Sequence, residues 1–148
     1  MRLLVAFTVA LLLAAPASAQ SWRSARGDDG IKFGYTEPGS NNFHPIWLRC
    51  DPGTKQIHVA VAVGERRPAS GRATATIESG SGPIAIAGAV GEFDFDFIFS
   101  LETTIPPTHP FFALSGDRDL AFTSGTLRGT LKPTGLKAAI QQFLAGCR

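Results

Sequence analysis

The sequence predicts a mainly β fold: an antiparallel sandwich or open barrel of about seven or eight short strands, closed by one C-terminal helix. Three observations carry that expectation. Apolar and polar residues alternate over several short segments, which is the period of a half-buried strand. Gly, Pro, Asn and Asp clusters punctuate the chain at spacings of roughly 8 to 12 residues, the rhythm of successive short strands. Only the last segment shifts to apolar steps of three and four, the spacing of one helical stripe.

The 148 residues carry 44% hydrophobic and 18% charged residues, with a formal net charge of +2. Such a chain is long enough for one domain with a packed core and too apolar for a disordered tail. Arg2 is followed by an uncharged run, Leu3 to Ala15, then Pro16 and the small residues Ala17-Ser18-Ala19. This is the layout of a secretory signal peptide cleaved between Ala19 and Gln20. The run is shorter than the roughly 17 to 25 residues of a membrane-spanning helix. Residues 1–19 are therefore read as a signal peptide and 20–148 as a single β-rich domain, periplasmic or secreted and without a membrane anchor. Loss of Arg2 leaves the mature chain nearly neutral, which argues against nucleic acid as a partner.

In order along the mature chain, Trp22 to Gly30 is polar and contains glycine. Ile31, Phe33 and Tyr35 then alternate with Lys32, Gly34 and Thr36 as a first strand. Ile46–Cys50 follows the turn at residues 37–42, and Asp51-Pro52-Gly53 turns the chain into Ile57–Val63. In that strand Ile57, Val59, Val61 and Val63 share one face and His58, Ala60 and Ala62 the other. Arg72–Glu78 and a short Ile84–Ala87 run come next, the latter loosened by Gly88 and Gly91. The longest alternation is Phe93, Phe95, Phe97, Phe99 and Leu101 against Glu92, Asp94, Asp96, Ile98 and Ser100, read as one principal core strand over 92–101. Pro106–Pro110 interrupts, Phe111–Leu114 is one helical turn, and Asp119–Thr123 with Thr126–Leu131 form a hairpin around Ser124-Gly125. Thr134 is placed as an N-cap for a helix whose stripe is Leu136, Ala139, Ile140, Phe143, Leu144 and Cys147, with Gly146 ending it.

Two cysteines in an exported chain, without CxxC spacing, predict a structural disulfide between Cys50 and Cys147. It would tie the terminal helix to an early strand.

No residue pattern assigns a catalytic centre. GxSxG, SxxK and GxxxxGK patterns are absent, and the Ser-Gly pairs read as turns. His44, His58 and His109 show no metal-ligand spacing, so neither a metal nor a cofactor is expected. The sharpest cluster is Glu92, Asp94 and Asp96, which an unbroken strand would space about 6.6 to 6.8 Å apart on one face, near enough to share a cation or flank a scissile bond. Charged gatekeepers opposite a phenylalanine-rich face would show the same pattern. Arg66, Arg67 and Arg72 form a basic loop able to hold an anion or a partner, or to pair with Glu65 and Glu78 at the surface. Trp22, Trp47 and Tyr35 are candidates to line a ligand face, although strand aromatics more often fill a core.

Trp22, Asp28-Asp29 leading into an alternating strand, Pro45–Cys50 followed by Ile57-His58-Val59, and the ending from Gly135–Ile140 to Cys147 resemble the exported accessory proteins of type VI secretion, the VasI/TagO-like group. The resemblance covers both ends of the mature chain and not the stretch between Gly71 and Leu101. It implies a short, envelope-associated, non-enzymatic protein and carries over no functional residue. The expected function is a periplasmic or secreted non-catalytic binding or accessory module acting through a protein or envelope surface. Two alternatives stay open: a small envelope hydrolase or carbohydrate-active protein using Glu92, Asp94 and Asp96, and a proteinaceous enzyme inhibitor presenting Glu65–Ser70 or Pro106–Pro110.

Overall fold

The computed structural model describes residues 21–36, 43–92 and 99–148. They form one open antiparallel sheet of nine strands with a single C-terminal helix. The strands are β1 (Ser21–Gly27), β2 (Gly30–Thr36), β3 (Phe43–Cys50), β4 (Ile57–Gly64), β5 (Arg72–Ser79), β6 (Gly82–Glu92), β7 (Phe99–Ile105), β8 (Leu120–Ser124) and β9 (Leu127–Leu131). A 3-10 turn, η1 (Pro110–Ala113), separates β7 from β8, and α1 spans Leu136–Cys147. The spatial order is β1-β2-β3-β4-β7-β6-β5-β8-β9, so the β4–β5 loop crosses the ends of β7 and β6.

Alternation places the core on one face. Ile57, Val59, Val61 and Val63 of β4 are buried beside Leu48 of β3, Leu101 of β7, and Ile84, Ile86 and Val90 of β6. The segment that follows β9 returns to the β1 edge of the sheet. Just beyond β9, the Thr134 carbonyl accepts the Trp22 N–H of β1 at 2.9 Å. The Lys132 carbonyl accepts the Trp22 indole N–H at 2.9 Å, and the Lys132 N–H donates to the Tyr35 hydroxyl at 3.0 Å. At the other end the β8–β9 turn docks on β4, where the Thr126 N–H donates to the Val63 carbonyl at 3.0 Å. Gly125 makes that approach possible: its φ is +54°, and a Cβ there would press into the Val63 backbone.

The helix covers the β1–β2 end. Leu136, Ala139, Ile140, Phe143 and Cys147 are buried and Leu144 half-buried, the stripe expected from the sequence. Phe143 meets Phe33 with ring centroids 5.6 Å apart, Phe33 stacks on Trp22 at 5.3 Å, and Phe111 of η1 closes the cluster at 6.0 Å from Trp22. Trp22 and Tyr35 are therefore core residues, whereas Trp47 is half-buried on the opposite face. Cys50 and Cys147 are disulfide-bonded, with Cα atoms 5.6 Å apart, fixing the last turn of α1 to the end of β3.

Several local expectations are corrected. Trp22 to Gly30 is not an irregular lead-in. Its first part is β1, in full register with β2 from Ser21↔Thr36 to Gly27↔Gly30. A strand that buries one large residue against a helix shows little alternation for the sequence to display. β6 does not stop near Gly88 but runs eleven residues to Glu92, because Gly88 lies against the backbone of Glu102 where a Cβ would collide. The single strand over 92–101 does not form. Glu92 ends β6, Phe99 opens β7, and the two are cross-strand partners on antiparallel neighbours, with Val90 opposite Leu101. Phe93, Asp94, Phe95, Asp96, Phe97 and Ile98 lie outside the described residues.

The helix ends also differ from expectation. Gly135, with φ of +79°, occupies the N-cap position and no side chain caps the helix, because the chain passes too close to the Trp22 backbone for a Cβ. Thr134 contributes its carbonyl to β1 instead. Gly146 stays helical. A Cβ there would stand 2.5 Å from Ile31 Cδ1, so its bare backbone lets α1 lie close on β2.

Candidate functional site: a mixed-charge corner of the sheet

The chain order and register bring two of the sequence candidates to one end of the sheet. β4 ends at Gly64, which pairs with Phe99 of β7, and Phe99 pairs with Glu92 of β6. From Gly64 the loop carrying Glu65, Arg66 and Arg67 crosses the ends of β7 and β6 and enters β5 at Arg72. Backbone hydrogen bonds fix its far side: the Gly71 N–H donates to Pro68 and the Val90 N–H to Gly71, at 2.9 and 2.8 Å. Arg66, Arg67, Arg72 and Glu92 are all exposed. Among the described residues the ion pairs are Lys32–Asp29, Arg49–Asp29 and Lys132–Asp119, so none of these four charges is engaged. The expected pairing of the arginines with Glu65 and Glu78 is absent there.

Of the carboxylate cluster, the described residues include only Glu92, at the β6 end. Asp94 and Asp96 lie outside them. Among the described residues no group of three or more His, Cys, Asp or Glu side chains is arranged to hold a metal ion.

Sequence reading missed Glu102. It is exposed on β7 and pairs with Ala89 of β6, which pairs in turn with Arg72 of β5. Glu102 and Arg72 thus flank β6 on one row of the outer face. No local pattern signals this, since 30 positions separate them and only the strand order makes them near neighbours.

A second charged row crosses β2, β3 and β4 on that face, where Lys32 pairs with Arg49 and Arg49 with His58. Asp29 already answers its cations: one carboxylate oxygen lies 3.1 Å from Lys32 Nζ and 3.6 Å from Arg49. The Lys32 hydrogen bond is the chief cause that holds the Asp29 carboxyl below its ordinary range. A shallow depression of about 420 Å³ at the start of α1, bounded by Ser115, Gly116 and Pro133–Ala138, has Lys137 as its one charged residue.

The three histidines stay apart. His44 is exposed at the start of β3, and His58 is half-buried on the outer face as expected. His109 caps η1, its Nδ1 accepting the Phe111 N–H at 3.2 Å. That bond requires an unprotonated Nδ1. Burial lowers the His109 pKa below the ordinary value, opposed in part by a hydrogen bond with the Ala85 backbone. On acidification the unfolded chain therefore takes up this proton before the folded one, so stability falls as pH drops below about 6.5 toward the folded value. His109→Asn keeps a capping acceptor and removes the titration. Its melting temperature is expected to be less pH-dependent than the wild type's in that window, and parallel curves would refute the assignment.

A disulfide-stapled antiparallel sheet with a docked terminal helix and an exposed mixed-charge corner is the class that fold and site define. No protein-family model, no curated protein and no solved structure matches the chain. Among the described residues no helix is long and apolar enough to cross a membrane.

Proposed function

We propose that the protein is an exported, non-catalytic accessory module that binds a periplasmic or envelope protein through the β4–β5 corner. One observation carries this reading: Arg66 and Arg67 stand exposed, outside any ion pair among the described residues, on a loop whose two ends are held by the sheet. A cation with no internal partner keeps its Coulombic interaction for an external carboxylate, and a loop anchored at both ends loses little entropy on binding. The Cys50–Cys147 bridge suits an oxidising compartment. The cleavage pattern at Ala19/Gln20 supplies the route there, in keeping with the resemblance to type VI secretion accessory proteins.

The test is crosslinking pull-down of the C-terminally tagged full chain, exported by its own leader, from native periplasm and envelope. The captured protein should begin at Gln20 and bring down a specific partner. Arg66→Glu/Arg67→Glu should lose that partner while melting at the wild-type temperature. Recovery of background alone, or undiminished capture by the double variant, would overturn the reading.

A further inference from the structure

Beyond the corner, the outer face of β5, β6 and β7 has a composition that its own chain does not explain. β6 lies inside the sheet, between β7 and β5. Its inward residues Ile84, Ile86 and Val90 are buried, yet its outward residues Ala85, Ala87 and Ala89 are all exposed, as are Thr74 and Thr104 on the flanking strands. Alanine is a poor strand former and gains nothing from packing when solvated, so three successive outward alanines on an interior strand weaken β6 unless something covers them. Short side chains also admit a second sheet at the ordinary face-to-face spacing of about 10 Å.

The charges around this face identify the cover. Glu102 and Arg72 stand on opposite sides of β6 in one row, separated by two strand spacings, about 9.4 to 9.8 Å. Both are exposed, and neither joins an ion pair among the described residues. We propose that the outer face of β5–β6–β7 joins two copies of this chain about a two-fold axis running along β6. That axis carries Arg72 of each copy over Glu102 of the other, so one operation pairs four charges and closes the assembly. A two-fold axis across the strands leaves all four unpaired, so the charges select the orientation as well as the occupant. Face-to-face sheets keep their strand directions within about 30° of each other, and an axis along β6 sets the two β6 strands parallel.

The experiment is sedimentation of the exported, oxidised protein over a dilution series. The wild type should have twice the monomer mass and dissociate on dilution. Arg72→Glu alone and Glu102→Arg alone each set two like-charged contacts in the interface and should sediment as monomers with unchanged circular dichroism and melting behaviour of the monomer. Arg72→Glu/Glu102→Arg reverses both signs and should restore the dimer, which a merely local effect of either residue would not do. A wild type monomeric at every concentration, dimers indifferent to the single reversals, or a folded double variant that stays monomeric would each overturn the proposal. So would a different protein bound to this face of a monomeric wild type. Arg66 and Arg67 are unaltered in these variants, so failure here is separable from failure of the corner reading.

Discussion

Phe143→Ala is expected to lower the free energy of unfolding by about 3 to 5 kcal/mol, the range for removing a fully buried phenylalanine. The ring is wholly inaccessible and lies between Phe33 on the sheet and Phe112 beside it, with centroids 5.6 and 6.1 Å away. Neither neighbour can refill the space easily. Phe33 is itself stacked on Trp22, and Phe112 belongs to η1, which Phe111 pins in the same cluster. The cavity therefore persists, and α1 loses its central contact with β2. Denaturant unfolding of the variant beside Lys137→Ala, an exposed position on the same helix, measures the effect. The control should move by no more than about 0.5 kcal/mol. A Phe143→Ala loss no larger than the control's would mean that α1 does not hold the core together.

Removing the disulfide as Cys50→Ala/Cys147→Ala should cost about 2 to 5 kcal/mol, the range for native bridges, and lower the melting temperature by roughly 10 °C. The bridge spans a sequence separation of 97, so it withdraws a large part of the unfolded chain's freedom. Alanine avoids leaving a buried hydroxyl where Cys50 and Cys147 are almost inaccessible. The wild type melted with excess dithiol should shift by a similar amount, which separates loss of the crosslink from any packing effect of the substitutions. Identical melting of oxidised and reduced protein would exclude a stabilising role. Bridge and Phe143 both dock α1 on β1–β3, so their combined loss should be less than additive.

The reach of the sequence differs from element to element. β4 announced itself because each of its inward residues is aliphatic, and α1 because its stripe is unbroken over three turns. The disulfide was expected from two cysteines without CxxC spacing in a chain whose first residues have the layout of a signal peptide. β1 did not show, because its one large inward residue, Trp22, is anchored by hydrogen bonds to Lys132 and Thr134, more than a hundred positions away. The alternation over 92–101 misled for a related reason. A period of two is a local property and does not report the strand order: Glu92 and Phe99 are direct cross-strand partners on one face, where a single continuous strand would set them on opposite faces.

The candidate corner was half legible. Arg66, Arg67 and Arg72 are clustered in sequence, and a Pro-containing break marks their loop. Their relation to Glu92, and the row from Arg72 through Ala89 to Glu102, needed the strand order and register. Periodicity is a local property, set within a few residues by which side chains must leave water, and the sequence determined it: strand period, helix stripe, turn chemistry and the cysteine pair. Strand neighbours and register come from hydrogen-bond ladders between distant segments, chosen by the packing of the whole core. Only the tertiary structure decided that β5 and β7 flank β6, and thus which charges share a face.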